Sequence, residues 1–316
     1  MTMHRRYHIA LLLAAAAHSL AAQDTPRKWG AAAREGERAG QQNIDARYAV
    51  ASDVSVRLKG SVGTLRVIGW NRDSLVITGT LPKGMRFESS VGGNGTGPAR
   101  GAKMYVESPN DELASGSVLE LRVPMSARVW VASGTASVEA TDIAGGLDIN
   151  VIGGSVRVVS SPRELQVEAM DASVVVEGSP AWLRVKTATG DITLRGSSSD
   201  VALTTVSGTV RLAGGSLERA RIETVTGAIS FAADFAKGAD VTFDSHSGPI
   251  DLAISPKANF DLNATSLTGN VVNQYDATRP TPGREGRGKN VVVSQGWETV
   301  RVMARTFKGT ITVKRR

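Results

Sequence analysis

Two carboxylates, Glu223 and Asp244, stand at the same outward position of successive sequence repeats. On neighbouring strands they would lie as like charges about 5 Å apart. An acid pair at that separation can hold a cation weakly. It also matches the spacing at which a retaining glycosidase uses one carboxyl as nucleophile and the other as acid. Arg221, two residues from Glu223, offers a plain salt partner instead. Glu168 and Lys186 share the same column one repeat apart and are expected to pair across strands, an exposed contact worth about 0.2–1 kcal/mol. Histidine is scarce: beyond residue 22 only His246 remains, and the chain has no cysteine. A histidine triad, a multi-histidine metal centre and thiolate chemistry therefore have one residue or none to draw on. His246 falls two residues before a repeat glycine, where other repeats carry Ala188, Val206, Val225 and Leu267. It reads as an inward, packed or bend-capping side chain. Arg279, Arg284, Arg287 and Lys289 form the one local basic cluster, and Lys314, Arg315 and Arg316 end the chain. The cluster could touch an acidic polysaccharide, lipid headgroups or DNA, or simply be a solvated loop. It lacks the interleaved aromatics of single-strand binders, so no nucleic-acid partner is expected. The glycine-rich run from Gly92 to Gly97 precedes no helix pattern and no Gly-Lys-Ser, so it is not a phosphate loop. No catalytic residue and no cofactor site are expected.

The elements that must position these residues come from a repeat. A small or hydroxyl residue followed by glycine recurs with apolar residues two and four places on. It occurs as Ser133-Gly134, Gly153-Gly154, Thr189-Gly190, Ser207-Gly208, Thr226-Gly227, Ser247-Gly248, Thr268-Gly269 and Lys308-Gly309, with Asp171-Ala172 in the same role. Successive spacings are 20, 18, 18, 18, 19, 21, 21 and 40, the last being two units with Lys289 at the midpoint. Inside a unit, Val156/Val158, Ile192/Leu194 and Val210/Leu212 follow the glycine, and Leu147/Ile149, Leu183/Val185 and Val201/Leu203 precede it. Spacing of two means strands with one buried face. Two short strands joined at a glycine bend, repeated about every 20 residues, predict an all-β parallel β-solenoid. Right-handed winding is the default for parallel crossovers. A sandwich of antiparallel hairpins would not need like residues at like positions in so many successive units.

Composition agrees. The 316 residues are 41% hydrophobic but only 5% aromatic, with 34 glycines and a formal charge of +7. That suits many short strands and excludes a disordered chain or a heptad coiled coil. Residues 1–22 read as a signal peptide, with Arg5 and Arg6 before an apolar run and small residues at the cut site. The run is too short to span a bilayer, and no other run of spanning length follows. Residues 23–47 read as a flexible linker, 48–126 as an N-terminal β region capping the solenoid, and 127–313 as the repeats. Thr278 to Lys289, rich in Pro, Gly and Arg, is expected to replace a strand and leave the stack as a surface loop.

Leu65-Arg66-Val67-Ile68-Gly69-Trp70-Asn71-Arg72-Asp73 and Leu119-Glu120-Leu121-Arg122-Val123-Pro124, together with the Ser-Gly-x-Val-x-Leu units, resemble a bacterial family. It is the exported β-strand-repeat family of unknown function commonly labelled "putative adhesin". The resemblance covers about residues 48–313 and implies a right-handed parallel β-solenoid of the cell envelope or outside the cell. It transfers no catalytic residue. The expectation is an exported, non-enzymatic surface-interaction scaffold in the periplasm, on the cell surface or outside, with a glycan or protein partner. The rival readings are a polysaccharide lyase or hydrolase on the same scaffold, and an accessory protein of envelope-stress signalling.

Overall fold

The structure is a computed structural model and describes residues 37–38, 41–92, 97–283, 286–297 and 300–316. The expected signal peptide, residues 23–36 of the expected linker, and Arg284 lie outside the described residues.

Each repeat is one rung of a parallel stack, with a strand on each of two faces. Arg128–Thr141, Gly146–Val159 and Glu164–Glu177 pair in parallel, and Val129, Leu147 and Leu165 fall in one column. Leu183, Val201, Ala220 and Val241 continue that column. On the second face Val138, Val156, Val174, Ile192, Val210, Ile229 and Ile250 form the matching one. All of these side chains are buried. The period-two pattern therefore fills the space between the faces, and its like-on-like columns are what hold neighbouring rungs in register. Rungs longer than 18 residues absorb the extra ones as irregularities in the pairing of Val210–Thr224 with Ile229–Ser245, after Ala213 and after Leu217.

The corner between the faces changes character along the stack. Through Glu164–Glu177 the strand runs on around it, and Ala172 pairs with Gly154. The alignment puts Ala136, not Gly134, opposite Gly154, which corrects the first repeat by two residues. From Gly190 onward the corner is a tight bend. A Cβ on Gly208, Gly227 or Gly248 would strike the carbonyl oxygen of the repeat glycine one rung back. Close backbone approach, not a left-handed φ, fixes glycine there. Gly178 and Gly196, at the opposite corner, are held at φ of 142° as well as against backbone.

Both ends of the stack depart from chain order. Thr310–Arg315 pairs with Ile250–Ile254 on one side and Asn270–Gln274 on the other. Arg301–Thr306 likewise separates 240–245 from Phe260–Ser266. The last rung in sequence is thus slotted inside the one before it, and a Cβ on Gly309 would meet Gly248 while one on Gly269 would meet Gly309. At the other end, 55–59 and 64–68 stack directly on Arg128–Thr141, and Ala99–Glu107 with Val118–Pro124 lies outside them. Residues 48–126 therefore hold a true rung as well as a cap. Residues 41–47, expected in the linker, belong to strand Gln41–Gly60 and pair antiparallel with Ser74–Pro82, because Ile44 and Ala46 are buried there. The basic insert also stays attached. Lys289–Gln295 runs antiparallel along Phe260–Ser266, and Thr281–Pro282 pairs with it, so it covers a strand edge instead of leaving the stack. Antiparallel Arg86–Gly92 covers Ala99–Glu107 in the same way.

Candidate functional site

Outward side chains of the first face stand in columns across the strands. Arg57, Trp130, Asp148, Gln166 and Arg184 are successive members of one. Ser55, Arg128, Gly146, Glu164, Trp182, Asp200 and Arg219 are successive members of the next. Glycine at 146 leaves this second column hollow, and the two columns line a surface groove of about 1010 Å³. Trp130 and Trp182 are half-buried in its walls. Arg184 lies over the Trp182 ring, 4.5 Å from its centroid, and pairs with Asp200 at 2.6 Å. Burial raises the Asp200 carboxyl, but the hydrogen bonds and charges of Arg184 and Arg219 outweigh it and hold the group below the usual carboxylate range. Asp148 is the reverse case. Burial pushes its carboxyl up, against a 2.7 Å hydrogen bond donated by Asn150, and the nearby Glu168 charge adds to the rise.

The residues singled out in the sequence lie elsewhere. Glu223 and Asp244 are cross-strand partners, as their spacing required. Each is held by its own arginine: Arg221 Nε donates to Glu223 at 2.7 Å, and Arg305 donates to both Asp244 oxygens at 2.8 and 3.0 Å. Glu168 and Lys186 form the expected ion pair at 3.7 Å. His246 is exposed, not inward, and stacks on Phe307 with ring centroids 5.2 Å apart. The position two before the corner residue is exposed at both ends of the repeat array and half-buried at Ala188, Val206 and Val225 between them. It carries Ile152, Met170, His246, Phe307 and Leu267 as an exposed, largely apolar ridge. Arg279 and Arg287 are exposed on the edge hairpin and Lys289 is half-buried. The terminal arginines do not join them. Arg315 donates to the Tyr275 carbonyl at 2.8 Å, and Arg316 pairs with Asp234 at 2.6 Å. Among the described residues no three His, Asp or Glu side chains cluster as metal ligands.

Sequence reading missed two features. The groove was passed over because only the column of Glu168, Glu223 and Asp244 was followed. The second is a buried hydroxyl three residues before each corner glycine: Thr187, Thr205, Thr224, Ser245, Ser266 and Thr306. Thr187 Oγ1 donates to the Gly190 carbonyl at 2.7 Å, and Gly208 N–H donates to Thr205 Oγ1 at 3.1 Å. Ser266 and Thr306 hydroxyls likewise accept from Gly269 and Gly309 N–H. The fixed spacing Ser/Thr-x-x-Gly was visible in the chain.

Residues 179–314 match the family described as Toastrack DUF4097. The function of that family is unknown. The match bears out the resemblance to a β-strand-repeat family of unknown function. The Toastrack segment includes every tight Ser/Thr-x-x-Gly bend, whereas Trp130 and Asp148 of the groove lie before it. Nothing among curated proteins matches the chain. A solved structure described as a "putative cell adhesion protein" from Clostridium sporogenes aligns over 90% of this chain and 100% of its own, at 10% identity and a TM-score of 0.23. A likeness that distant bears on neither fold detail nor function.

Proposed function

We propose that this is an exported, non-enzymatic scaffold of the cell envelope or the extracellular space, which binds a glycan or protein partner through the outward face of its right-handed solenoid. The observation that carries the reading is the groove: two tryptophans and a set of charged side chains, held in fixed columns by the strand register. Rigid strands place such groups without the entropy cost of ordering loops. The arginine held by each of Glu223 and Asp244 supports a structural role for that pair, since a glycosidase needs one carboxyl free to carry a proton. The test is a binding screen of the chain against glycans and envelope fractions, with N-terminal sequencing of protein from the native host. Saturable binding and a start near Ala22 or Gln23 are expected. An intact Met1 in the cytoplasmic fraction would refute the export reading.

One observation favours the enzyme reading, and it points away from Glu223. Asp148 is a half-buried carboxyl with a raised pKa in a groove beside Trp130. Polysaccharide turnover by the wild type that is lost in Asp148→Asn, with substrate still bound, would promote that reading.

A further inference from the structure

The hollow in the groove has no steric cause. Gly146 lies between Arg128 and Glu164 in its column. It has no positive φ, and a Cβ there would meet only Arg128 Cγ at 3.6 Å and Arg128 Cβ at 4.0 Å, both ordinary contacts. The corner glycines are forced by neighbouring backbone; this one is not. A side chain would fit the fold and would fill the floor between Trp130, Asp148 and Glu164.

Around that floor the charges do not cancel. Asp200 is already taken by Arg184 and Arg219, at 2.6 and 3.5 Å. Arg57, Arg128 and Arg163 line the groove and are exposed, and among the described residues they have no ion pair. They face two carboxylates, Glu164 and the part-buried Asp148, and so outnumber them. The open end of the groove is therefore cationic. Trp130 and Trp182 stand three rungs apart, about 14 Å along the stack at the usual strand spacing. Indole rings at that interval offer apolar plates, one face of Trp182 being covered by the Arg184 guanidinium, with polar groups between them from Gln166, Asp148 and Glu164. Sugar rings have apolar faces and hydroxyl edges, which such a surface matches. Guanidinium groups add planar, two-point recognition of carboxylates.

We propose that this groove binds an acidic oligosaccharide running along the solenoid axis, its rings against Trp130 and Trp182 and its uronate carboxylates on Arg57, Arg128 and Arg163. This rests on the reading of the chain as a surface-interaction scaffold. The long axis of the ligand crosses the strands, so successive sugars meet successive rungs.

The experiment titrates the full chain with oligogalacturonate and with a neutral gluco-oligosaccharide of equal length, by calorimetry and tryptophan fluorescence. Oligogalacturonate is expected to bind saturably, to change the fluorescence, and to weaken as salt is raised. The neutral oligomer is expected to bind at least tenfold more weakly. Gly146→Leu should lower oligogalacturonate affinity at least tenfold with the melting temperature unchanged, and Trp130→Ala should lower it similarly. Equal binding of the two oligomers, or full affinity in Gly146→Leu, overturns the assignment. If envelope material binds wild type and Gly146→Leu alike, the groove assignment falls and the scaffold reading stands. If neither oligomer nor envelope material binds, both fall.

Discussion

Replacing Gly208 with alanine tests the stacking geometry directly. The new Cβ would fall on the carbonyl oxygen of Gly190, with the Gly190 carbonyl carbon at 2.6 Å and the Thr189 oxygen at 3.0 Å. Those atoms cannot easily retreat. The Gly190 carbonyl accepts from Thr187 Oγ1 at 2.7 Å, and the Thr205 hydroxyl that braces Gly208 N–H also lies 2.9 Å from Thr187 Oγ1. Relief therefore means prising the two rungs apart at the corner. Overpacking of this kind costs about 1–3 kcal/mol. Weakening the Gly208 to Thr205 hydrogen bond adds about 1 kcal/mol. The entropy lost from the unfolded chain on going from glycine to alanine returns only about 0.4–1 kcal/mol. The net expectation is a loss of about 1–3.5 kcal/mol, or roughly 2–6 °C in melting temperature for a chain of this size. Gly146→Ala is the matched control. It gains the same unfolded-state term, meets only ordinary contacts, and should melt at or slightly above wild type. Circular dichroism melts and urea titrations of both variants give the comparison. Equal stability of the two would refute the claim that backbone contact fixes the corner glycines.

Ser245 Oγ is buried without a hydrogen-bond partner, unlike its ladder neighbours. Ser245→Ala should be neutral or stabilising by up to about 1 kcal/mol, whereas Thr205→Val should cost about 1–2 kcal/mol, as read from urea midpoints. Removing residues 300–316 should open the stack between Ile250–Ile254 and Asn270–Gln274, so limited proteolysis is expected to cut within 255–299; removing only 314–316 should not produce those cuts. The carboxyl of Asp191 is held below 3.8 first by the Arg211 hydrogen bond and then by Thr209 N–H. Its contribution is complete above 3.8 and lost as pH falls through the depressed folded value, so Asp191→Asn should flatten the acid limb of stability. Asp148 has the opposite sign: Asp148→Asn should stabilise at neutral pH, the gain shrinking as pH falls through the raised folded value and vanishing below 3.8.

The central rungs were legible because burial and period reinforce each other there. Leu183, Val185, Ile192 and Leu194 repeat the types and spacing of Val201, Leu203, Val210 and Leu212, and a register slip of one residue would turn all of them to water. The ends were not legible for the same reason. Nothing in Val302, Ala304, Ile311 and Val313 distinguishes a rung that follows 260–274 from one that slips inside it, since either site offers the same apolar neighbours. His246 was misplaced because apolar residues at the equivalent position suggested burial, although Ala188, Val206 and Val225 there are only half-buried and His246, Leu267 and Phe307 are exposed. The signature Gly69-Trp70 proves structural: a Cβ on Gly69 would strike the Asp142 carbonyl, and Trp70 Nε1 donates to the Ser74 carbonyl at 2.8 Å. The groove was hidden because it needs residues from seven rungs, and only the register brings Arg57, Trp130 and Trp182 onto one face.

The interchanged ends bear on how such a stack can serve as a binding surface. A simple solenoid frays from its last rung inward, because a terminal rung has one neighbour where an interior rung has two. Here the rungs at 54–70 and 300–315 each have two neighbours, and the outermost rungs are held by chain that continues past them. Antiparallel strands 86–92 and 289–295 then cover edges that would otherwise recruit other chains. Aromatic packing fastens the C-terminal end, with Phe260 against Tyr275 at 5.3 Å and Phe231 stacked on Phe235 at 5.0 Å. The groove begins at 55–57 and runs inward, so its cationic end is built on one of these clamped rungs. Loosening the N-terminal clamp should therefore reduce ligand affinity before it reduces global stability. Ile44→Ala is the perturbation of choice: it removes a buried side chain from the 41–49 strand, away from every groove residue. Faster amide exchange across 54–60 with weaker oligosaccharide binding is the expected result. Unchanged affinity despite that faster exchange would show that the groove does not depend on the clamp.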